Sequence, residues 1–300
     1  MGLLIVGSVA LDDVETPFGK VEAALGGSAT FISVTASYFT APVHVVGVVG
    51  EDFGDNILEF ENRNIDIEGL QVIKGGKTFH WSGKYHYDLN VRDTLATDLN
   101  VFEFFDPVIP EKYVNDRFVI LGNIQPSLQM KVLDRLNKPS FVVCDTMNLW
   151  IDIAKDDLIK VFGRSDVVII NDSEARLLTN EPNLIKAAKI VLGMGPKYVI
   201  IKKGEHGALL FSEDTIFSAP AYPLENIFDP TGAGDTFAGG FTAYLHKTGD
   251  LSFENMKKAV IYGSAMASFC VEKFSIAGIA DLNNLMISDR YAEFKKLSEF

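Results

Sequence analysis

Apolar residues cluster in short runs at 3–9, 43–49, 118–121, 141–144, 167–170 and 198–201, each followed by a polar or glycine turn and then a stretch of helical character. Runs that are apolar on both sides of a strand predict a parallel sheet covered by helices on both faces, a doubly wound α/β fold. Such sheets bind ligands beyond the carboxyl ends of their strands. The residues standing there are Asp12, Asp145, Asn171 and Gly204. Segment 78–89 breaks the rhythm. Phe79, Trp81, Tyr85, Tyr87 and Leu89 alternate with His80, Ser82, Lys84, His86 and Asp88, a period of two with one apolar face. It is expected as an antiparallel strand, either a half-buried edge or part of a small β-sheet lid that closes over a substrate or clasps a second copy in a homodimer. No repeat or linker divides the chain, so a single domain over 1–300 is expected, with lid strands inserted from about 10–23 and 72–96.

Composition narrows this picture. The chain is 47% hydrophobic and 22% charged over 300 residues, enough for one large globular domain. Its net charge of −13 argues against nucleic-acid partners and anionic membranes, which need a basic face, but not against a small anion in a donor-rich pocket. Cys144 and Cys270 are the two cysteines; they suggest neither a disulfide framework nor a zinc site, and read as buried thiols in a reducing compartment. The N-terminus lacks a basic flank and reads as a first strand, Val6 stands where myristoylation wants Ser or Thr, and no run reaches membrane-spanning length. A cytoplasmic protein is expected.

The candidate chemistry centres on residues 229–241, Asp-Pro-Thr-Gly-Ala-Gly-Asp-Thr-Phe-Ala-Gly-Gly-Phe. Gly232, Ala233 and Gly234 precede an apolar run of helical length, 237–245, and are expected at a helix N-terminus, where unpaired N–H groups and the helix dipole suit a phosphate. Asp235 lies in the first turn, placed to take a proton from a hydroxyl beside that anion hole; dipole complementation alone would also put an acid there. The stretch resembles the C-terminal signature of the ribokinase (PfkB) family of carbohydrate and nucleoside kinases. That resemblance implies a ribokinase-like fold with a lid, and ATP-dependent transfer of a phosphoryl group to a hydroxyl.

Other segments follow in family order. Gly7 to Asp12 resembles the family's first strand, which ends in an acid that grips substrate hydroxyls; Asp12 takes that role and Asp13 points elsewhere. Gly26 and Gly27 resemble the glycine pair that contacts the substrate, though such a pair also marks a plain strand-to-helix turn. Residues 171–174 form close to a capping box, with Asn171 at the N-cap and Glu174 at N3. They also resemble the Asn-x-x-Glu motif, in which Glu174 would order water around magnesium and Asn171 would lie near the nucleotide phosphates. Lys202, Gly204 and Gly207 match the nucleotide-side turn, and residues 259–268 the wall of the adenine pocket; Lys202 and Lys203 are read as phosphate contacts or, for at least one, as a solvated surface lysine. Asn148 matches a strand-end Asp-x-x-Asn stretch on the substrate side. Asp229 stands where some relatives place a potassium ion.

Three departures bear on the substrate: Ala10 and Phe31 replace amide side chains, and Trp150 stands where some sugar-acid and fructose kinases have Arg. Phe31 is expected to offer the substrate an aromatic face. The expected acceptor is the hydroxymethyl group of a small sugar, with a nucleoside of adenosine type as the alternative. Outside this class, a non-catalytic sensor on the same fold stays open, whereas a dinucleotide-binding dehydrogenase would need Gly-x-Gly-x-x-Gly after the first strand, which is absent.

Overall fold

The structure is a computed structural model and describes residues 2–299. In chain order the strands are β1 (Leu3–Val6), β2 (Ala10–Thr16), β3 (Gly19–Gly26), β4 (Val43–Gly50), β5 (Ile65–Ile73), β6 (Phe79–Tyr85), β7 (Arg92–Asp98), β8 (Phe118–Leu121), β9 (Phe141–Asp145), β10 (Val167–Asn171), β11 (Tyr198–Lys202), β12 (Ala208–Phe211) and β13 (Ile216–Ala219). The helices are α1 (Ser28–Ala36), α2 (Ile57–Glu61), α3 (Pro126–Arg135), α4 (Asn148–Ile153), α5 (Lys155–Phe162), α6 (Asp172–Thr179), α7 (Leu184–Leu192), α8 (Ala233–Thr248), α9 (Phe253–Cys270) and α10 (Asn284–Leu297).

Nine strands form one sheet in the order β13-β12-β11-β10-β9-β8-β1-β4-β5. The seven from β5 to β11 are parallel, and the β12–β13 hairpin closes one edge antiparallel. Burial follows the pleat. Leu3 and Ile5 of β1 join a core on one face with α1, α8 and α9, while Leu4 and Val6 join a second core on the other face with α3, α5, α6 and α7. Because both faces are covered, the strands read as unbroken apolar runs. The chain runs outward from β1 to β5 and then returns to β8 on the other side of β1, which creates a switch point beside β1, the place where open α/β sheets take ligands.

The second sheet has the order β3-β2-β6-β7. It comprises residues 10–26 and 79–98, so positions 72 and 73, expected in the lid, lie instead on edge strand β5 of the large sheet. Strand β6 is antiparallel only to β7; it runs parallel to β2, because the chain crosses the large sheet before returning. The alternation ends at Tyr85. Tyr87 lies past the strand and is 89% exposed. No helix among the described residues is long and apolar enough to cross a membrane.

Candidate active site

Three neighbouring strands end in polar residues at one rim: β9 in Asp145, β10 in Asn171 and β11 in Lys202, with Asn171 and Lys202 in register. Helix α8 starts against this rim. Its N-cap, Gly232, has a left-handed φ of 75°, and a Cβ there would lie 2.4 Å from the Phe31 ring, so both conformation and space call for glycine. The Ala233 N–H donates to the Pro230 carbonyl (3.2 Å) and that of Thr236 to Gly232 (2.8 Å). Among the described residues the amides of Gly234 and Asp235 have no acceptor within the fold. The open donors at this dipole-positive end are therefore Gly234 and Asp235, and the expected contribution of Ala233 falls away because its N–H is spent closing the turn.

Acidic groups crowd around one half-buried cation. Asp235 keeps partial contact with solvent; burial first, and then the charge of Asp145, push its carboxyl up to about 7, against the pull of Lys202. Burial likewise pushes Glu174 up to about 7, opposed by Lys202 and reinforced by Asp145. Lys202 is half-buried, with its side chain 18% exposed; desolvation works against its charge, yet Asp145, Glu174 and Asp235 together hold its ammonium above the usual lysine range. Asp145 Oδ1 stands 3.7 Å from Lys202 Nζ. Lys202 therefore stands within the acidic cluster.

Glu174 is fixed by a complete capping box: its Oε2 accepts the Asn171 N–H at 2.7 Å while Asn171 Oδ1 accepts the Glu174 N–H at 2.8 Å. The cap aims the carboxylate at the rim, so the structural and the functional reading of this motif coincide. Asp12 comes from the small sheet, as the third residue of β2 and not from the end of β1. Its carboxyl is pushed up to about 7 by burial, lowered by the Trp81 backbone and raised by Asp229 and Asp235. A Cβ on Gly26 would lie 1.9 Å from Asp12 Oδ2, so this glycine clears space for the carboxylate. Asp12 Oδ1 is buried without a partner. Asp13 faces away, accepting the Ala23 N–H at 2.8 Å.

The remaining positions divide. Gly27, with φ 88°, caps α1 beside Gly26. Phe31 is 2% exposed and packed beneath Gly232, so it supports the anion-hole turn and offers no aromatic face; helix α1 buries every one of its residues. Asn148 is exposed at the start of α4. Asp229 is fully buried, and its two oxygens accept the N–H groups of Thr231 (2.8 Å) and Ser275 (3.0 Å). Gly204 and Gly207 flank a tight turn after β11, and Gly207 also packs against the Ala219 carbonyl.

Several contacts could not be read from motifs. The Thr231 hydroxyl donates to that of Tyr85 (3.1 Å), and Asn90 Nδ2 donates to Glu205 (3.1 Å). The small sheet thus touches both the anion-hole turn and the turn after β11. Asp145 stands out beforehand only as a strand-end acid, and Tyr85 only through the alternation of its segment. Trp150 Nε1 donates to Asn123 Oδ1 at 2.8 Å, a pairing between α4 and the turn after β8 that nothing in either local sequence announces.

Comparison with known proteins agrees with this geometry. A cytidine kinase of Thermococcus kodakarensis is 33% identical over 249 residues, covering 81% of this chain and 88% of that protein. Among solved structures, a putative ribokinase II from E. coli in complex with ATP and magnesium superposes with a TM-score of 0.80 at 20% identity, covering 97% of this chain and 99% of the other. A nucleoside kinase of Burkholderia thailandensis in complex with inosine superposes with a TM-score of 0.75 at 19% identity, covering 97% and 98%. These two establish the ribokinase fold. The pfkB family carbohydrate kinase model matches residues 6–280, and with the acidic rim facing the open turn of α8, the chain belongs to the pfkB family and is a carbohydrate or nucleoside kinase.

Proposed function

We propose that this enzyme transfers the γ-phosphoryl group of ATP to the hydroxymethyl group of a nucleoside. The observation that carries the phosphoryl-transfer reading is Asp235, a carboxylate pushed up to about 7 in the first turn of α8, beside the open amides of Gly234 and Asp235. Asp12, packed over Gly26 through Oδ2 and with Oδ1 unpartnered, holds a sugar hydroxyl, and Gly27 lines the same entry. Asp235 takes the proton of the primary hydroxyl as its oxygen bonds to the γ-phosphorus and the bond to the β–γ bridging oxygen breaks, releasing ADP. The two amides stabilise charge on the transferred group without having to reorganise.

On the nucleotide side we assign Asn171, Lys202, Gly204 and Gly207. No group of three or more His, Cys, Asp or Glu among the described residues could hold a metal ion alone. This fits magnesium, which keeps several waters and rides on nucleotide phosphates; Glu174, aimed by its cap, would hold it through water. Bound there, the metal neutralises phosphate charge. A monovalent cation fits beside Asp229, a fully buried carboxylate that accepts two backbone N–H groups and has burial raising its pKa. Potassium dependence of the rate tests this assignment.

The nucleoside reading is favoured by the 33% identity to a cytidine kinase across most of the chain, against 34% over only 113 residues for a ribokinase of Staphylococcus aureus. It is also favoured by the absence of amide side chains at Ala10 and Phe31 and of a cation at Trp150. The test is ADP release with cytidine, adenosine, inosine, ribose, fructose and hexoses, with and without potassium. Turnover on nucleosides well above that on free sugars is expected; preference for a free sugar would overturn the acceptor, and binding without ADP from any of them would indicate a sensor. Asp235→Asn should keep ATP affinity and lose about 10³-fold or more in kcat; near-normal turnover would refute its role as base.

A further inference from the structure

The half-buried ammonium among the acidic groups of the rim has no hydrogen-bond partner within the fold. Lys202 Nζ carries three N–H donors, and among the described residues no acceptor lies within hydrogen-bond distance; Asp145 Oδ1, at 3.7 Å, forms an ion pair only. A Cβ on Gly234 would lie 2.7 Å from that same Nζ. The ammonium therefore overhangs the one turn of α8 whose amides are open. β11 ends on Lys202 at the height where β10 ends on Asn171, which fixes the root of the side chain on rigid sheet and leaves only its tip adjustable.

A largely desolvated ion pair without a hydrogen bond is a poor device for stability, because desolvation of both charges is only partly repaid. It is a suitable one for exchange. An anion seated on the Gly234 and Asp235 amides would meet the ammonium at once and offer it the acceptors that Asp145 does not.

We propose that Lys202 is a catalytic residue, the cation that follows negative charge onto the phosphoryl group in flight, and that Asp145 is its positioning residue, the counter-ion it leaves when a nucleoside triphosphate binds. This rests on the phosphoryl-transfer reading above. Lys202 stays protonated throughout. The bond from the acceptor oxygen to phosphorus forms as the β–γ bridge breaks, the proton goes to Asp235, and ADP departs; the ammonium only shifts its contacts. A smaller residue than glycine does not exist for position 234, and the bare backbone there lets ammonium and phosphoryl share one space.

The test compares Lys202→Met, Lys202→Arg and Asp145→Asn with the native enzyme by turnover, and by calorimetric binding of ADP alone and of ADP with magnesium and fluoroaluminate, a planar mimic of the transferring group. Lys202→Met should lose about 10²-fold or more in kcat and bind the fluoroaluminate complex at least about tenfold more weakly, with ADP affinity and acceptor KM little changed. Lys202→Arg should recover part of both losses. Asp145→Asn should lower the KM for ATP, because phosphate no longer competes with a carboxylate; a purely structural role would not do this. Equal weakening of ADP and of its fluoroaluminate complex, or turnover of Lys202→Met within about threefold of native, would overturn the proposal. Should Lys202→Met not fold, Lys202→Arg and Asp145→Asn still decide: unchanged fluoroaluminate affinity in the first together with a raised KM for ATP in the second refutes it. Failure of the native chain to release ADP with any acceptor refutes the kinase reading, and the fluoroaluminate arm, which needs no acceptor, still judges Lys202.

Discussion

Gly26 illustrates how one residue can serve a site without touching chemistry. The space its missing side chain leaves is filled by the Asp12 carboxylate, with a Cβ there 1.9 Å from Oδ2. Gly26→Ala must therefore push Asp12 aside. The expected result is a rise of about tenfold or more in KM for the acceptor, with KM for ATP within about twofold of native. Unchanged acceptor KM in steady-state assays would mean that Asp12 does not hold the acceptor. In the sequence Gly26 and Gly27 look alike, a pair in a strand-to-helix turn. Their duties differ: Gly27 is needed for its left-handed φ at the cap of α1, Gly26 for the room it gives to a residue 14 positions away. Phe31 shows the reverse case, a residue whose type suggested contact with substrate. Its neighbours on α1 are small or apolar and all buried, and only the arrival of Gly232 on its ring shows that it props up the anion-hole turn.

At the scale of elements, the carboxylates are aimed by the ways in which helices begin. Helix α6 starts with a reciprocal capping box, so Glu174 cannot leave the rim without breaking a bond to the Asn171 backbone. Asn171→Ala should cost about 1 kcal/mol, a fall of about 2 °C in melting temperature for a chain of this size, and raise the magnesium concentration needed for half-maximal turnover. Asn171→Asp keeps the cap acceptor and should restore the melting temperature. Recovery of stability without recovery of turnover would locate a separate nucleotide contact in the Asn amide; loss of stability in both variants would show that the cap is not the source. Helix α8 has no side-chain cap, which leaves its amides for a ligand. The capping box was legible as four consecutive residues, because all its partners are local. The small sheet was legible only in part: alternation revealed β6, but its parallel pairing to β2 joins residues about 70 positions apart, beyond the reach of any local pattern.

The whole molecule stores unfavourable electrostatics at one rim. Asp12, Glu174 and Asp235 are each pushed up to about 7, above the ordinary carboxylate range. Because these folded-state pKa values lie above those of the unfolded chain, the native state binds more protons between about pH 4 and 7, and stability falls as pH rises through that window. The ligand-free protein should melt higher at pH 5.5 than at pH 8, and Asp235→Asn should reduce the difference. A melting temperature that rises from pH 5.5 to 8, with no narrowing in Asp235→Asn, would contradict this account. The amino-acid sequence by itself determined six of the nine strands of the large sheet and the reaction class, because apolar runs bounded by turns specify strands and an Asp placed just after a Gly-Ala-Gly turn specifies a helix start fit for phosphate; these depend on neighbours within a few residues. Only the tertiary structure decided which groups share charge. Asp12, Asp145, Glu174, Lys202 and Asp235 lie on five elements, three strands from two sheets and two helices, and their protonation depends on distances and burial that exist only once both faces of the large sheet are covered and the small sheet folds over its rim.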